Sequence, residues 1–264
     1  MMQQIAQIQS PMQVQKQIQL KQTTNKPSQV QSTSSTYGQN KAIVFDSGTL
    51  ISFSMNGLTD LIRDLRRIFR GKFLITTEVK REVIDTPLKI KKFELEALKI
   101  KQLLDDGILE MPSSIGIKDS EIEPLGNEIL TKANSFFIGN GREIHLIDFG
   151  EASCLALSRL LTERGIKNVL AIDERTTRML VEKHENMREF LEKKLHVKIK
   201  VNHESLKFFT DFKIIRSTEL AYVAYKKNLV KLRNKDVLDA LLYAMKFKGA
   251  AISGSEIEEM KRLG

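Results

Sequence analysis

Residues 41–50, KAIVFDSGTL, contain the pattern that decides the fold. The apolar run at residues 42–45 has the pattern of a short buried strand, and Asp46 ends it at the start of a polar turn. Between residues 58 and 69 apolar side chains then recur every three or four positions, which predicts an amphipathic helix that ends at Gly71. A buried strand followed by a helix is the repeating unit of a parallel sheet covered by helices.

The same alternation of strand and helix patterns continues to the end of the chain. Further strands are predicted at FLIT (residues 73–76), ILEMP (108–112), NVLAID (168–173) and FKIIRS (212–217). Helical patterns lie between and after these strands, at residues 77–84, 91–106, 127–137, 174–184, 219–229, 235–248 and 255–263. We therefore expect an α/β fold in which helices cover both faces of a parallel sheet.

The first 40 residues differ in composition from the rest of the chain. Gln, Ser and Thr dominate this segment, and it contains no acidic residue. Such a segment buries too little apolar surface to offset the conformational entropy lost on ordering. The sequence thus predicts a disordered tail at residues 1–40 and one folded domain at residues 41–264.

Composition also narrows the setting in which the protein works. Cys154 is the single cysteine, so no internal disulfide can form, and its place on the apolar side of a helix predicts an inert core thiol. No apolar run approaches the roughly 18 residues of a membrane span, and the N-terminus lacks the hydrophobic core of a signal peptide. We expect a cytoplasmic protein that does not associate with membranes. The formal net charge of +9 favours a polyanionic partner.

Acidic residues recur where the predicted strands end. Asp46 and Asp173 each follow a strand, and Glu82 lies on the helix after FLIT, one turn from Glu78. The segment IHLIDFGEASCLALS, residues 144–158, predicts a buried helix. Asp148 lies just before this helix, and Glu151 lies in its first turn. Because the carboxyl ends of parallel strands meet at one edge, we expect these carboxylates to lie close together.

Carboxylates gathered in this way repel one another unless a cation lies among them. The sequence has neither His-x-x-x-His nor Cys-x-x-Cys spacing, so the ligands would be oxygens, which favours Mg²⁺ or Mn²⁺ over Zn²⁺. Such ions activate water and stabilise charge on phosphate, which makes phosphodiester hydrolysis the leading chemistry. The competing explanation is structural: Asp148 and Glu151 fit a capping box, and acids at a helix start favour the helix dipole.

The stretch IVFDSGTL resembles short motifs of several unrelated families. The Asp-Ser-Gly-Thr loop is similar to that of aspartic proteases, but those proteins are all-β. Haloacid dehalogenase-like phosphatases need a second Asp where this chain has Gly48, and the glycine-rich phosphate loops of actin-like ATPases are missing downstream.

A longer resemblance extends over about residues 41–183. Its four motifs are the strand ending at Asp46, the ITTEVKREV segment with Glu82, GEASCLAL with Glu151, and AIDERTTR with Asp173. Their order and spacing resemble the PIN domain family, and KFKGAAISGSEIEEMKRL at the end of the chain is similar to the closing helices of that family. The resemblance implies a three-layer fold with a mostly parallel, five-stranded sheet. It also implies a Mg²⁺- or Mn²⁺-dependent endoribonuclease whose metal-binding, catalytic acids are Asp46, Glu82, Glu151 and Asp173.

Departures from compact PIN proteins affect the expected substrate more than the chemistry. Additions are predicted near residues 112–143 and 184–211, which argues against a toxin and leaves RNA processing or turnover open. Single-stranded or looped RNA is the expected partner, and a homodimer or a protein partner stays open. Two basic sets are the candidates for phosphate contacts: Arg63, Arg66, Arg67 and Arg70, and Lys226, Lys227, Lys231, Arg233 and Lys235 beside Tyr222 and Tyr225. For either set a solvated helix face is the competing explanation, and the helical spacing of Tyr222 and Tyr225 favours packing over base stacking.

Two other functions remain open at this point, a non-catalytic PIN-like module for RNA binding or assembly and a metal-dependent phosphatase. The sequence also leaves open whether Glu78 replaces Glu82, whether Glu174 is an additional ligand, and whether the site holds one or two ions.

Overall fold

The computed structural model of the chain describes residues 40–182, 184–202, 208–209 and 211–263. The tail predicted at residues 1–40 lies outside the described residues, apart from Asn40. The strands are β1 Lys41–Phe45, β2 Lys72–Leu74, β3 Phe137–Gly139, β4 Arg142–Glu143, β5 Lys167–Ala171, β6 Ile199–Val201 and β7 Ile214–Ile215. The α-helices are α1 Ser47–Met55, α2 Thr59–Phe69, α3 Thr77–Lys80, α4 Glu94–Asp105, α5 Asp119–Asn134, α6 Phe149–Glu163, α7 Arg175–Glu182, α8 His184–Leu195, α9 Ser217–Lys226, α10 Val237–Phe247 and α11 Gly254–Arg262.

Four of the strands form a parallel sheet in the order β2-β1-β5-β7. Strand β1 lies between β2 and β5, with Ile43 opposite both Phe73 and Val169. Residues 42–45 are buried on both faces of the sheet, as their unbroken apolar run predicted. The predicted α/β class is therefore confirmed.

The parallel sheet has four strands, whereas the family resemblance implies five. The predicted strand at residues 108–112 contributes one parallel bridge, between Glu110 and β2. There the backbone N–H and C=O of Glu110 form hydrogen bonds of 2.8 and 3.1 Å with Phe73 and Ile75. Pairing stops after this bridge because Pro112 has no N–H to donate and begins a short 3-10 turn.

A second, antiparallel sheet has the strand order β4-β3-β6. Strands β3 and β4 belong to the predicted addition near residues 112–143, and β6 belongs to the one near residues 184–211. Phe137 of β3 lies opposite Val201 of β6, so the two additions pair with each other. Residues 203–207 and 210 of the second addition fall outside the described part of the chain.

Helix α5 begins at Asp119, well before the start predicted at residue 127. Pro124 and Gly126, both poor helix formers, lie within it and weaken the helical pattern in the sequence. A Cβ atom built on Gly126 would lie only 3.1 Å from the Phe149 ring of α6. Close packing of α5 on α6 therefore outweighs low helix propensity in this segment.

The core holds the segment after β1 in place. Helix α6 packs on β1 and β5, while α1, α2, α4 and α9 pack on one another. The rings of Phe45 and Phe73 lie 5.0 Å apart between their centroids. Thr49 Oγ1 of α1 donates a 3.0 Å hydrogen bond to the carbonyl of Ala171, the last residue of β5. The start of α1 is thus tied to the end of the neighbouring strand.

The three closing helices α9, α10 and α11 lie within three residues of their predicted bounds. Arg216, which precedes α9 and is 9% exposed, joins α9 to α11. Its guanidinium contacts Glu219 at 2.9 Å and Glu256 at 2.7 Å. The Coulomb attraction within these pairs is stronger than in exposed pairs, because the Arg216 side chain is largely desolvated.

We expect Arg216→Ala to lower the free energy of unfolding by about 2–3 kcal/mol, because it leaves two carboxylates without their cation. This loss of unfolding free energy is smaller than the roughly 3–5 kcal/mol of a fully buried pair, because Glu256 is partly exposed. Urea unfolding followed by circular dichroism measures the loss. As a control, Arg67→Ala removes a pair with Asp64 in which the arginine is exposed, and it should cost less than about 1 kcal/mol. Equal losses in the two variants would contradict this role of Arg216.

Candidate metal centre

Asp46 and Asp173 lie at the carboxyl ends of two adjacent strands. Strand β1 pairs with β5, and the N–H of Asp46 donates to the carbonyl of Ala171 at 3.0 Å. The segments that follow these two strands therefore leave the sheet side by side. Each aspartate is 3% exposed. Asp46 Oδ2 accepts from the N–H of Gly48 at 3.1 Å, and Asp173 Oδ1 accepts from the N–H of Ser217 at 2.8 Å.

The second oxygen of each aspartate has no hydrogen-bond partner among the described residues. These atoms are Asp46 Oδ1 and Asp173 Oδ2, and both are buried. A buried carboxylate oxygen without a partner is costly unless it is protonated or meets a cation. Gly48 lies between the two side chains, since a Cβ built on it would be 3.4 Å from Asp46 Oδ2 and 3.9 Å from Asp173 Cβ.

Glu82 lies near Asp46, on a π-helical turn, Arg81–Asp85, that continues α3. Single π turns inside helices often occur at functional sites. The carboxylate of Glu82 lies against the start of α6, where a Cβ built on Gly150 would be 2.7 Å from Glu82 Oε1 and 3.1 Å from Oε2. The absence of a side chain at residue 150 therefore provides the space that the Glu82 carboxylate occupies.

Glu151 follows Gly150 in the first turn of α6. Its Oε2 accepts a 3.0 Å hydrogen bond from the N–H of Asp148, which is the residue before the helix. This is the reciprocal half of a capping box, and it fixes the direction of the Glu151 carboxylate. The charge of Glu151 raises the pKa of Asp46, so Glu151 lies near Asp46 as well as at the helix start.

The electrostatics link three of the four acids, because the charges of Glu151 and Glu82 raise the pKa of Asp46. Asp173 differs, since burial raises its pKa against the hydrogen bonds of Ser217 and the charges of Arg178 and Arg216. Burial, followed by the charge of Glu151, raises the pKa of Asp46 to about 7, against the hydrogen bonds from Gly48 and Ser47. Burial also raises the pKa of Glu82, Glu151 and Asp173. Each carboxylate thus binds a proton, or an equivalent positive charge, more tightly than it would in water.

Cys154 lies in the core beneath this cluster. Its thiol is fully buried, and burial together with the charges of Asp46, Glu151 and Glu82 raises the pKa of the thiol well above its ordinary value. A thiol with a raised pKa is a poor nucleophile and a poor metal ligand at neutral pH. Its burial and raised pKa agree with the inert core role expected from the sequence.

The remaining acids near this edge are engaged elsewhere. Glu78 forms an ion pair with Arg81. The exposed Asp148 lies with its Oδ1 atom 2.8 Å from His145 Nε2. Glu174 accepts from the N–H of Thr177 at 3.2 Å and from Thr176 Oγ1 at 3.0 Å, so it caps the start of α7. Of the acids that the sequence left open, the structure brings Glu82 into the cluster and pairs Glu78 and Glu174 with other groups.

In the described part of the chain, no group of three or more His, Cys, Asp or Glu side chains is placed to hold a metal ion as it stands. The chemistry of the donors nevertheless fits Mg²⁺ or Mn²⁺. Mg²⁺ commonly takes one or two carboxylates and keeps several waters, and Asp46 and Asp173 offer two buried oxygens without partners. Glu82 and Glu151 lie near Asp46, since their charges raise its pKa.

The sequence did not predict the part that Ser217 plays. Its N–H holds Asp173 at the start of α9, directly after the last strand of the parallel sheet. The FKIIRS motif predicted a strand that ends at Ser217, and this position was the one feature of the sequence that pointed to Ser217. Backbone N–H groups at such ends are donors in any sequence, so only the fold identifies this one.

The two basic sets lie away from the acidic cluster. Arg63, Arg66 and Arg67 of α2 form ion pairs with Asp106, Glu110 and Asp64. Gly71, which follows α2, packs against the first residue of β1, since a Cβ built on it would touch the carbonyl of Lys41. Helix α2 therefore ends at the edge of the sheet opposite Asp46. The second set begins at the last residue of α9, about 14 Å along the helix from Ser217. Tyr222 is buried in an apolar cluster, where it packs as its helical spacing indicated.

Comparison of the chain with protein-family models, with curated proteins and with solved structures found no match. Among the helices that the structure describes, none is long and apolar enough to cross a membrane.

The raised pKa of Asp46 predicts a pH dependence of stability for the chelator-treated protein. Between its ordinary pKa of 3.8 and about 7, Asp46 is ionised in the unfolded chain but protonated in the folded one. The folded state binds more protons in this window, so the free energy of unfolding falls as pH rises, by about 2–4 kcal/mol in all. Asp46→Asn lacks this titration and should be more stable than the parent at pH 8 but not at pH 4. Thermal unfolding across this range measures the difference, and parallel curves would contradict the prediction.

Gly150→Ala should change metal binding and stability in opposite directions. The methyl group would displace the end of the Glu82 side chain, and we expect the affinity for Mn²⁺ to fall about tenfold, which is about 1.4 kcal/mol. The same change should stabilise α6 by about 0.5–1 kcal/mol, because Ala is the better helix former. Calorimetric titration with Mn²⁺ and urea unfolding test the two effects. Unchanged Mn²⁺ affinity would remove Glu82 from the site.

Proposed function

We propose that this chain is a Mg²⁺- or Mn²⁺-dependent endoribonuclease with a PIN-like fold. The observation that carries the proposal is the pair of buried aspartates, Asp46 and Asp173, at adjacent strand ends, each with one oxygen lacking a partner in the described chain. Two carboxylates converge there from distant parts of the sequence, with Glu82 and Glu151 beside them. Such a group suits a divalent ion that engages a phosphate.

The arrangement of the sheet supports the PIN-like part of the proposal. The four parallel strands have the order β2-β1-β5-β7, and the Glu110 bridge adds a fifth position beyond β2. The four acids named by the sequence resemblance come from four separate elements that meet at one edge. The meeting of these elements supports the proposal more strongly than the spacing of the motifs does, because the position of each acid depends on a different loop or helix.

Asp46 and Asp173 would hold the ion through their free oxygens. When bound, the ion supplies positive charge to a phosphate oxygen and lowers the pKa of water. Glu82 and Glu151 have raised pKa values, so each accepts a proton near neutral pH more readily than an ordinary surface carboxylate does. We assign proton uptake from the attacking water to Glu82. Cleavage would leave a 5′-phosphate and a 3′-hydroxyl.

Proton release should accompany metal binding at this site. Because the pKa of Asp46 is raised to about 7, its carboxyl retains a proton to higher pH than an ordinary aspartate, and an ion bound to its oxygen would displace that proton. The affinity for Mn²⁺ therefore rises with pH up to about pH 8. This linkage follows from burial of the ligands and is independent of the RNA.

A non-catalytic PIN-like module for RNA binding is the second candidate. The observation in its favour is that the described acids are not already placed around a single ion. The two functions differ in one result: the nuclease cleaves RNA when Mn²⁺ is added, whereas the module binds RNA with or without metal. A phosphatase would instead hydrolyse a generic phosphomonoester.

Asp46→Asn and Asp173→Asn should each slow cleavage of a mixed RNA pool by at least about 100-fold at saturating Mn²⁺, and Glu82→Gln should do the same. Glu78→Gln is the matched control one turn away, and it should retain most of the activity because Glu78 pairs with Arg81. Gel analysis of end-labelled RNA, with Mn²⁺ and with chelator, measures the rates. If both aspartate variants cleave as fast as the parent, the site is not the active site. If Glu78→Gln is inactive and Glu82→Gln active, Glu78 is the second acid.

A further inference from the structure

The last turn of α10 exposes an aromatic pair that the sequence analysis did not single out. Phe247 is 77% exposed, the highest value among the large apolar side chains of the described residues. Its ring lies beside that of Tyr243, with 6.0 Å between centroids and 30° between planes. Tyr243 is half-buried against the apolar cluster of the closing helices, which gives the pair a fixed base.

Lysines flank this aromatic pair. Lys246 Nζ lies 5.6 Å from the centroid of the Tyr243 ring, and the neighbouring Lys248 is exposed. The acid one turn before Tyr243 is Asp239, which is ion-paired with Lys261 at 2.7 Å. Along α10 the rings are therefore flanked by two lysines and by an acid that is already paired, which suits an anionic partner that has flat apolar groups.

A chain of contacts leads from the aromatic pair to the acidic cluster. A Cβ built on Gly254 would lie 3.8 Å from Lys246 Nζ and 3.9 Å from the Tyr243 hydroxyl, so the start of α11 adjoins the pair. Glu256, in the first turn of α11, contacts Arg216. Arg216 precedes Ser217, whose N–H holds Asp173. The pair thus lies beside the helix that braces the last strand at the metal centre.

We infer that Tyr243 and Phe247, with Lys246 and Lys248, form a stacking platform for the bases of single-stranded RNA. Bases stack on aromatic faces without regard to sequence, and lysines beside the rings engage the phosphates. An exposed Phe in water gains contact area from a stacked base, whereas a solvated lysine surface alone would bind only the backbone. The role of the platform in cleavage rests on the proposed nuclease function, but base binding there does not.

The test is fluorescence anisotropy of a labelled single-stranded oligouridylate with the full chain, in chelator and at fixed moderate salt. We expect Phe247→Ala to weaken binding roughly 5- to 150-fold, and Phe247→Trp to preserve it. An abasic oligonucleotide of the same length should bind parent and Phe247→Ala equally. Leu232→Ala removes another highly exposed apolar side chain, in the loop before α10, and serves as the matched control with unchanged binding.

Unchanged oligouridylate binding by Phe247→Ala overturns the platform. Equal weakening on the oligouridylate and the abasic strand also overturns it, because the loss would not then depend on bases. If Phe247→Ala leaves RNA binding intact but abolishes self-association in sedimentation, the surface is a protein contact instead. Because chelator prevents cleavage, these results are independent of the nuclease proposal. A parent that binds RNA through Phe247 but never cleaves it would refute the nuclease alone.

Discussion

Desolvation of carboxylates is the constraint on which the rest of this structure depends. Asp46 and Asp173 are buried at one edge of a parallel sheet, and the half-buried Glu82 and Glu151 lie near Asp46. Burial is the main cause of the raised pKa of all four acids. Backbone N–H groups of Gly48, Ser217 and Asp148 offset part of the desolvation cost by donating hydrogen bonds to the carboxylates. A cluster with such an energetic cost persists in a fold only where the rest of the domain is stable enough to hold it, and the buried strands and helices around β1 supply that stability.

The placement of the acids could be predicted from the sequence because it follows from topology. Asp46 and Asp173 each end an unbroken apolar run, and any parallel sheet brings the ends of such runs together. The alternation of apolar strands and amphipathic helices likewise gave the α/β class and the bounds of the closing helices. These features depend on short stretches of sequence that need no knowledge of distant partners.

Features that depend on tertiary contacts could not be predicted in this way. Pro112 cut the expected fifth strand to a single bridge, and packing on Phe149 extended α5 across Pro124 and Gly126. Glu78 and Glu82 look equivalent on a helical wheel, but a π turn and the space at Gly150 separate them. The arginines of α2 are evident in the sequence, but their ion pairs and their place at the opposite edge of the sheet depend on the tertiary structure. The exposure of Phe247 is likewise a property of the packed helices.

The small antiparallel sheet makes one unit of two segments that are far apart in the sequence. Strand β3 has β4 on one side and β6 on the other, so β6 from the second segment completes the pairing of the first. Loss of either segment alone would leave β3 or β6 without the strand with which it pairs. The two segments are therefore expected to be inherited together, and a shortened version of this domain would have to dispense with both at once.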